Sequence, residues 1–216
     1  MSPRVKELVL FARTTTIQAD PDKIDAGIAH VRDQVIPAVT AMDGCVGMSL
    51  LVNRETGLCI ATTAWESEAA LQSSAPKVLS IRDGAEQVLG ATTSTVDVWE
   101  LAAVHRDHAT PDGACARVTY LSGDPSTAER AIDVYKMAVL PRIQQFDGFC
   151  SASFMINRET GRAVGTATFE TLQQLEATRE ASSGIREGAS REMGARVDDV
   201  IEMELALAHL HVPEMA

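Results

Sequence analysis

Hydrophobic and polar positions change their spacing along this chain, and the changes predict its first elements. A run rich in β-branched and large apolar residues at positions 5–17 predicts a first strand. Over positions 24–42 apolar residues recur at helical spacing, which predicts a helix with one apolar face. Asp20, followed by proline, is a typical helix start, and Gly44 is a typical helix end. Pro37 lies inside this helix and is expected to bend it.

The next apolar runs predict a hairpin, a second helix and a last strand. Runs at about 45–52 and 58–66 predict the two paired strands of the hairpin. The second helix is predicted between Ser67 and Gly90, and Pro76 predicts a break in it. A final run at about 96–102 predicts the last strand.

The whole pattern occurs twice. A shift of about 104 positions aligns residues 12–104 with 116–208 without a gap, and about 29 of the 93 pairs are identical. Such self-similarity indicates duplicated structural units. We therefore predict one unit at residues 1–104, a linker at 105–113 and a second unit at 114–210.

Each unit is predicted to fold as β-α-β-β-α-β, the ferredoxin-like arrangement. In the third strand of the first unit, both faces are uncharged over residues 58–65, so both faces need to be covered. Two similar sheets in one chain provide that cover by packing together into a closed barrel, which also removes exposed sheet edges. The predicted fold class is α+β, a tandem ferredoxin-like barrel formed within one chain, and such whole barrels can form homodimers.

The five residues Asn-Arg-Glu-Thr-Gly stand in both units, at 53–57 and 157–161. They separate the two predicted hairpin strands, and the closing glycines suit the left-handed backbone of a short hairpin loop. The repeated turn is therefore favoured as a structural requirement of the hairpin. Binding of a ligand by the turn is the alternative.

Composition narrows the classes of partner. The net charge is −11, from 30 acidic and 19 basic residues, so nucleic acid and anionic membranes are not expected as partners. The four cysteines form no CxxC motif, which is typical of buried thiols in a reducing compartment. No apolar run reaches membrane-spanning length, and no signal core is present at the N-terminus. These features predict a cytoplasmic location.

Two short segments resemble a known family. Residues 43–47, Asp-Gly-Cys-Val-Gly, are followed by residues 65–71, Trp-Glu-Ser-Glu-Ala-Ala-Leu. This combination resembles the dimeric α/β-barrel superfamily, and within it the antibiotic-biosynthesis-monooxygenase-like domains. The second unit carries a weaker version at 147–150 and 169–171. The resemblance implies oxygen insertion into an electron-rich polycyclic or quinol substrate, without metal or flavin.

The chain departs from the family pattern at two positions. Members that act on polycyclic aromatics, or that degrade haem, commonly carry an asparagine where this chain has Ala61. They also carry a histidine where it has Ser74 or Ala75. The five histidines of the chain lie elsewhere, without metal-ligand spacing. We therefore predict no haem, flavin, zinc or other cofactor.

Five residues are candidates for binding a small-molecule substrate. Trp65 and its counterpart Phe169 lie on a strand face of otherwise small residues, so each ring either walls a pocket or fills core. Ser74 is a candidate because a helix broken near it in the first unit would form a mobile lid. The second unit is predicted to have a continuous helix there, so the first is expected to keep more of any activity.

The other two candidates are Arg13 and Arg117, which occupy equivalent positions on the first strand of each unit. Glutamates also recur on the neighbouring strands, at positions 66 and 170 and at positions 100 and 204. Cross-strand ion pairs between these arginines and glutamates are favoured. An anion-binding or proton-handling site is the alternative.

The sequence leaves three functions open. The first is a cofactor-independent monooxygenase-like activity on an electron-rich aromatic or quinol molecule, in which the protein supplies desolvation, orientation and a proton acceptor. The second is a non-catalytic, stress-responsive-type barrel that binds a metabolite or partner. The third is a structural pseudo-dimer without a site.

Overall fold

A computed structural model describes residues 9–210 and 215 of the chain. The part of the first predicted strand at residues 5–8 lies outside the described residues. Eight strands are formed: β1 (Leu10–Gln18), β2 (Cys45–Val52), β3 (Leu58–Trp65), β4 (Thr93–Arg106), β5 (Cys115–Gly123), β6 (Phe149–Asn157), β7 (Arg162–Phe169) and β8 (Ala195–Leu210). The hairpin strands start and end where the hydrophobic pattern predicts, whereas β4 and β8 extend beyond their predicted runs.

Helices separate the strands in the predicted order. They are α1 (Ile24–His30), α2 (Ile36–Thr40), α3 (Glu68–Leu89), α4 (Ala128–Val134), α5 (Leu140–Ile143), α6 (Leu172–Ala177) and α7 (Arg179–Met193). None of the described helices is long and apolar enough to cross a membrane.

All eight strands form one closed antiparallel barrel, in the order β1-β3-β2-β8-β5-β7-β6-β4. Each unit contributes four adjacent strands, and the edges of the two units meet where β2 pairs with β8 and β4 pairs with β6. Every edge strand of one unit is therefore paired with the other unit. The predicted fold, a barrel closed within one chain, is confirmed.

The barrel separates three apolar cores. One lies in the barrel interior and includes Leu10, Trp99 and Met155. The other two lie outside the barrel wall, between the strands of each unit and the helices that cover them. Because side chains alternate along a strand, Ile60 and Ala64 of β3 belong to the interior core, whereas Cys59 and Trp65 belong to the helix-side core. Met215 also packs against the interior core, and its backbone N–H donates to the carbonyl of Val104 at 2.8 Å.

The first helix of each unit changes its winding before its proline. Residues Val31–Val35 and Tyr135–Val139 form one π-helical turn between the flanking α-helical segments. Pro37 and Pro141 follow directly, at the starts of α2 and α5. Proline offers no N–H and crowds the preceding turn, and a π-turn is one of the ways in which a helix accommodates such a disturbance.

The predictions for the second helix were wrong in both units. In the first unit α3 is continuous over 22 residues with Pro76 inside it. Pro76 lies on the exposed face of the helix, where water can bind the carbonyl that has lost its partner. In the second unit the helix is interrupted at Thr178, between α6 and α7. The predicted basis for a mobile lid in the first unit is therefore absent.

The repeated turn fastens the two units to each other. Within the turn, the side chain of Asn53 accepts hydrogen bonds from two backbone N–H groups, and Gly57 has a φ of +77°. The guanidinium of Arg54 then contacts Glu204 of β8, in the other unit, at 2.7 Å. Arg158 makes the equivalent contact with Glu100 of β4 at 2.6 Å. The turn therefore serves the hairpin, as favoured, and also supplies two ion pairs between the units.

The linker between β4 and β5 is anchored by His108. One ring nitrogen lies 3.0 Å from Asp107 and the other lies 3.2 Å from Glu170. The hydrogen bond with Asp107, more than the charge of Glu170, raises the pKa of His108 above its ordinary value. The charged form of the ring therefore favours the docked linker.

We expect this anchor to weaken as the pH rises. A raised pKa in the folded state contributes stability that is complete below the ordinary histidine pKa of about 6.5 and is lost as the pH rises through the folded value. The thermal stability of wild type relative to His108→Gln should therefore be greatest near pH 5.5 and the two should converge in alkaline solution. A difference independent of pH would contradict this role. His30, half-buried on α1, provides the control His30→Gln.

Candidate functional site

Two equivalent cavities lie between the barrel wall and the helices, one in each unit. The repeat-two cavity has a volume of about 80 Å³, and the repeat-one cavity about 50 Å³. The walls of the repeat-two cavity come from β5, β6, β7, the first helix of that unit and α7. They include Arg117, Thr119, Tyr135, Phe154, Gly165, Ala167, Phe169, Ser182, Ile185, Arg186, Ser190 and Met193.

Small replacements on the strand face widen the repeat-two cavity. Gly165 stands where the first unit has Ala61, and Ala167 stands where it has Thr63. A Cβ atom added to Gly165 would meet only the ring atoms of Tyr135 and Phe154, at 3.6 and 3.9 Å. Gly165 therefore leaves space in front of two stacked rings, whose centroids lie 4.5 Å apart.

Arg117 is buried with every donor used. Its side chain is 5% exposed, and it donates from Nε and Nη2 to Glu202 of β8, at 3.0 and 2.7 Å. Nη1 donates to the hydroxyls of Thr178 and Ser182, and Nη2 also donates to the carbonyl of Leu175. The guanidinium thus connects the barrel wall to both sides of the interruption between α6 and α7. In the first unit Val78 replaces Ser182, and α3 is continuous there.

Glu202 remains charged in this position. Burial alone would raise the pKa of its carboxyl group, but hydrogen bonds from Arg179 and Arg117 outweigh burial and lower the pKa below its ordinary value. Arg117 therefore has a fixed counter-ion, and its charge is neutralised within the wall of the cavity.

Arg13 occupies the equivalent position in the first unit without a carboxylate partner among the described residues. It is 6% exposed and donates to the hydroxyl of Ser74 at 3.0 Å and to the carbonyl of Leu71 at 2.6 Å. Val98 faces it where Glu202 faces Arg117. Burial, and then the neighbouring charge of Arg82, lowers the pKa of Arg13.

The predicted ion pairs are therefore wrong in their partners. The glutamates at positions 100 and 204 pair with Arg158 and Arg54 of the repeated turn. Glu170 lies near His108, and the described contacts include none between Glu66 and Arg13. The carboxylate that does pair with Arg117 lies two residues before the predicted one on the same strand, so the strand pairing is right and the position is wrong.

Arg186 of α7 brings a second cation to the repeat-two cavity. Its Nη1 atom is buried and has no hydrogen-bond partner among the described residues. Burial lowers its pKa first, and the charge of Arg117 lowers it further. A buried donor without a partner costs free energy, so an acceptor oxygen placed in this cavity would be stabilised by it.

The predicted site residues are divided between these surroundings. Phe169 and Arg117 line the repeat-two cavity, and Arg13 lines the repeat-one cavity. Trp65 is fully buried in the helix-side core, 5.8 Å from the guanidinium of Arg13, and does not line the repeat-one cavity. Ser74 binds Arg13 and is also absent from that cavity wall. Whether any of the five binds a substrate remains a prediction.

Hydroxyl and guanidinium groups are the polar groups of the repeat-two cavity. Tyr135 donates to the carbonyl of Ser153 at 3.1 Å, and complete burial raises the pKa of its phenol far above the ordinary value. The described lining residues include no carboxylate, imidazole or thiol. Among the residues described, no cluster of three or more His, Cys, Asp or Glu side chains is placed to hold a metal ion.

Sequence reasoning missed Tyr135 and Glu202 as parts of the site. Each differs from its counterpart, Val31 and Val98 respectively. A comparison that looks for residues shared by both units therefore does not find them. Arg186, whose counterpart is Arg82, was not among the five candidate residues. Differences between the units would have been the useful signal.

The fold and these cavities define the class of the protein. Two β-α-β-β-α-β units close one eight-stranded barrel, with an enclosed space between each sheet and its helices. This is the architecture of the dimeric α/β barrels, in a form where both halves belong to a single chain.

The chain belongs to the antibiotic-biosynthesis-monooxygenase-like domains of that class, in two tandem copies. Residues 10–75 match the sequence profile of the family described as "Antibiotic biosynthesis monooxygenase". Over 207 residues the chain is 48% identical to the uncharacterised protein Rv2557 of Mycobacterium tuberculosis H37Rv, covering 96% of this chain and 92% of that one. The two chains are members of one family.

Solved structures show the same fold over the full length. A candidate monooxygenase from Lactobacillus acidophilus NCFM superposes with a TM-score of 0.68 at 10% identity, covering 94% of this chain and 97% of that one. An anthrone oxidase-like protein also gives a TM-score of 0.68, at 13% identity, covering 98% and 96%. At these identities the similarity establishes the fold alone.

Proposed function

We propose that this protein oxygenates an electron-rich phenol or quinol in the repeat-two cavity, without a metal or organic cofactor. The observation that carries the proposal is the unpartnered, buried Nη1 of Arg186 on the wall of an apolar, aromatic cavity. The family and the anthrone oxidase-like protein of the same fold agree with this class of reaction.

The charge pattern selects a substrate that becomes an anion. Glu202 forms an ion pair with Arg117, whereas Arg186 forms none among the described residues and feels only the more distant charges of Glu202 and Glu187. Arg186 is therefore the cation of the cavity wall that is available to a ligand. A cation in a poorly hydrated site favours the ionised form of a phenol. Arg186 would therefore lower the pKa of a bound phenol, and the phenolate oxygen would accept from its free N–H.

The size of the cavity limits the substrate or requires movement. A cavity of about 150 Å³ accommodates benzene, whereas the repeat-two cavity measures about 80 Å³. Six of its lining residues belong to α7, which is separated from α6 by the interruption at Thr178. An outward shift of α7 about this interruption would admit an aromatic ring. The continuous α3 of the first unit has no such interruption.

The reaction balances without an external reductant. The phenolate gives one electron to O₂, and the resulting radical pair forms a C–O bond at the ring carbon para to the oxygen. The hydroperoxide then loses water: its O–O bond breaks, the C–H proton leaves, and a quinone remains. One oxygen atom enters the product and the other leaves in water, together with the two hydrogens of the substrate. The protein supplies desolvation, orientation and the Arg186 charge.

Binding without catalysis is the second candidate function. It is favoured by the lining of the repeat-two cavity, whose described residues include no carboxylate or imidazole that would accept the phenol proton. In the catalytic case the proton passes to solvent, which limits the reaction to phenols acidic enough to ionise beside Arg186.

Oxygen uptake with 1-naphthol, whose para carbon is free, tests the proposal, together with a panel of anthrone- and quinol-type compounds. The matched variants are Gly165→Val, which fills the repeat-two cavity, and Ala61→Val, which adds volume at the equivalent position of the first unit. We expect Gly165→Val to lower kcat/KM more than tenfold and Ala61→Val to leave it within about twofold. One molecule of quinone should form for each molecule of oxygen consumed.

The Arg186→Met variant separates an electrostatic role from packing. Without the cation the bound phenol should ionise at higher pH, so the rising limb of the pH–rate profile should move to higher pH. Arg82→Met, in the first unit, is the control and should leave the profile in place. If wild type consumes oxygen and neither Gly165→Val nor Arg186→Met changes the rate, the assigned site is contradicted. Saturable binding of 1-naphthol with no uptake above the protein-free rate would favour the non-catalytic candidate.

A further inference from the structure

A third cavity lies inside the barrel itself, separate from both helix-side cavities. It measures about 420 Å³ and is lined by strands of both units and by Ala109 and Thr110 of the linker. Ligand pockets usually measure about 300–1,000 Å³, so this space is large enough for a small molecule. We call it the axial cavity. The inference does not depend on the proposed oxygenation.

The axial cavity has approximate twofold symmetry. Strands β2 and β6 are four places apart in the eight-stranded barrel, as are β3 and β7, so the members of each pair lie on opposite walls. Ser49 and Ser153 are equivalent residues of β2 and β6, and Thr62 and Thr166 are equivalent residues of β3 and β7. Matching hydroxyl groups therefore face the cavity from opposite sides.

These hydroxyl groups have no hydrogen-bond partner among the residues that the structure describes. For Ser49, Thr62, Ser153 and Thr166, no side-chain hydrogen bond to another group is formed within the described part of the chain. The same is true of Thr168, which lines the cavity and is only 6% exposed. Their oxygen atoms are not among the fully buried polar atoms without a partner in the described part of the chain, so a ligand or water in the cavity can reach them and form hydrogen bonds. The cavity thus offers hydrogen bonds that the fold does not use.

The remaining wall is apolar and nearly uncharged. Leu51 and Met155 form one equivalent pair, and Leu101 and Leu205 form another. Of the described residues that line the cavity, Arg106 is the single charged one, and it lies at the end of β4 beside the linker. A charged ligand would lose its hydration in this cavity, and the two opposite walls do not both offer a charge that would compensate for the loss.

We infer that the axial cavity binds an uncharged ring compound with oxygen atoms at opposite ends, the class of which 1,4-quinones are the simplest members. The two carbonyl oxygens would accept from the opposed hydroxyl groups, and the ring would contact the paired leucines. The symmetry of the ligand would match the symmetry of the barrel. Such a site exists only because both units close one barrel, since the opposed hydroxyl groups come from different units.

Duroquinone is a suitable probe, because its fully substituted ring does not add to the cysteine thiols. Binding is followed by NMR of ¹³C-labelled methionine methyl groups. Met155 lines the axial cavity, whereas Met193 and Met48 line the repeat-two and repeat-one cavities. We expect duroquinone to shift the Met155 signal saturably and to leave the other two unchanged.

Two variants test the hydrogen bonds and the space separately. Thr62→Val keeps the shape and removes one of the opposed hydroxyl groups, so the Kd should rise about 3–10-fold. Ala64→Leu fills the cavity from β3 and should abolish the Met155 shift. The control Thr119→Val removes a hydroxyl from the repeat-two cavity and should leave the Kd unchanged.

Three results would overturn the inference. The first is no saturable Met155 shift in folded wild type. The second is binding that persists unchanged in both Thr62→Val and Ala64→Leu. The third is tighter binding of 2,4,6-trimethylbenzoate, a carboxylate of similar size, than of duroquinone, because this would assign the cavity to anions. Loss of 1-naphthol turnover has no bearing on these outcomes, since that reaction is assigned to the repeat-two cavity.

Discussion

Glu202→Gln is expected to lower the free energy of unfolding by about 3 kcal/mol. The substitution removes the counter-ion of Arg117, whose guanidinium is 5% exposed and cannot reach water in place of the carboxylate. Removing one partner of a buried ion pair commonly costs about 3–5 kcal/mol, and the 20% exposure of Glu202 places the expected value at the lower end. Urea denaturation of both proteins measures the difference.

The first unit provides the control. Val98 occupies the position of Glu202 and is 39% exposed, so Val98→Gln should cost less than about 1 kcal/mol. Equal losses for the two variants would contradict the role of the ion pair.

The pH dependence of the Glu202→Gln effect has a defined direction. The folded pKa of Glu202 is lowered, so its contribution is complete above the ordinary glutamate pKa of about 4.3 and is lost as the pH falls through the folded value. The difference between wild type and Glu202→Gln should therefore be constant near neutral pH and should narrow in acid. A difference that widens in acid would be inconsistent with a depressed pKa.

Phe169→Ala and Trp65→Ala are each expected to cost about 3–5 kcal/mol, because large buried aromatic residues leave cavities when truncated. Phe169 is 1% exposed and Trp65 is fully buried. The consequences for function should differ. Phe169 lines the repeat-two cavity, whereas Trp65 is packed between Arg13 and its own strand. At a temperature where both variants remain folded, Phe169→Ala should change the KM for 1-naphthol and Trp65→Ala should not.

The measurement pairs thermal unfolding with oxygen uptake, and circular dichroism confirms that each variant is folded at the assay temperature. Phe169→Leu and Trp65→Phe, which retain more of the volume, serve as milder controls. If Trp65→Ala specifically loses turnover and Phe169→Ala is unaffected, the site lies in the first unit and not in the second. That unit was expected from the sequence to retain more activity.

The duplicated pattern made the fold predictable. The chain carries local signals: a strand period of two, a helical period near 3.6, and glycines at turns. Their repetition identified two units, and the edge strands of each unit need strands of the other unit to pair with. The hairpin strands were placed correctly for this reason. The closing pairs, β2 with β8 and β4 with β6, follow from two sheets of four strands in one chain.

The site was less predictable because it depends on where the units differ. The choice of Glu204 over Glu202 shows the limit: the pair of strands was right, but the register of β5 with β8 places Glu202 directly opposite Arg117 and Glu204 opposite Cys115. The break at Thr178 had no local signal, since no proline or glycine marks it. It coincides with the hydrogen bonds that Arg117 makes to Thr178 and Ser182, which are distant in sequence.

The central claim is that the repeat-two cavity is the site for the phenolic ligand, and methionine methyl NMR with 1-naphthol under nitrogen tests it most directly. Without oxygen the ligand binds and does not react. Met193 reports on the repeat-two cavity, Met48 on its counterpart in the first unit and Met155 on the axial cavity. We expect a saturable shift of Met193 that Gly165→Val abolishes, with Met48 unchanged. A saturable shift of Met48 with Met193 unchanged would contradict the account.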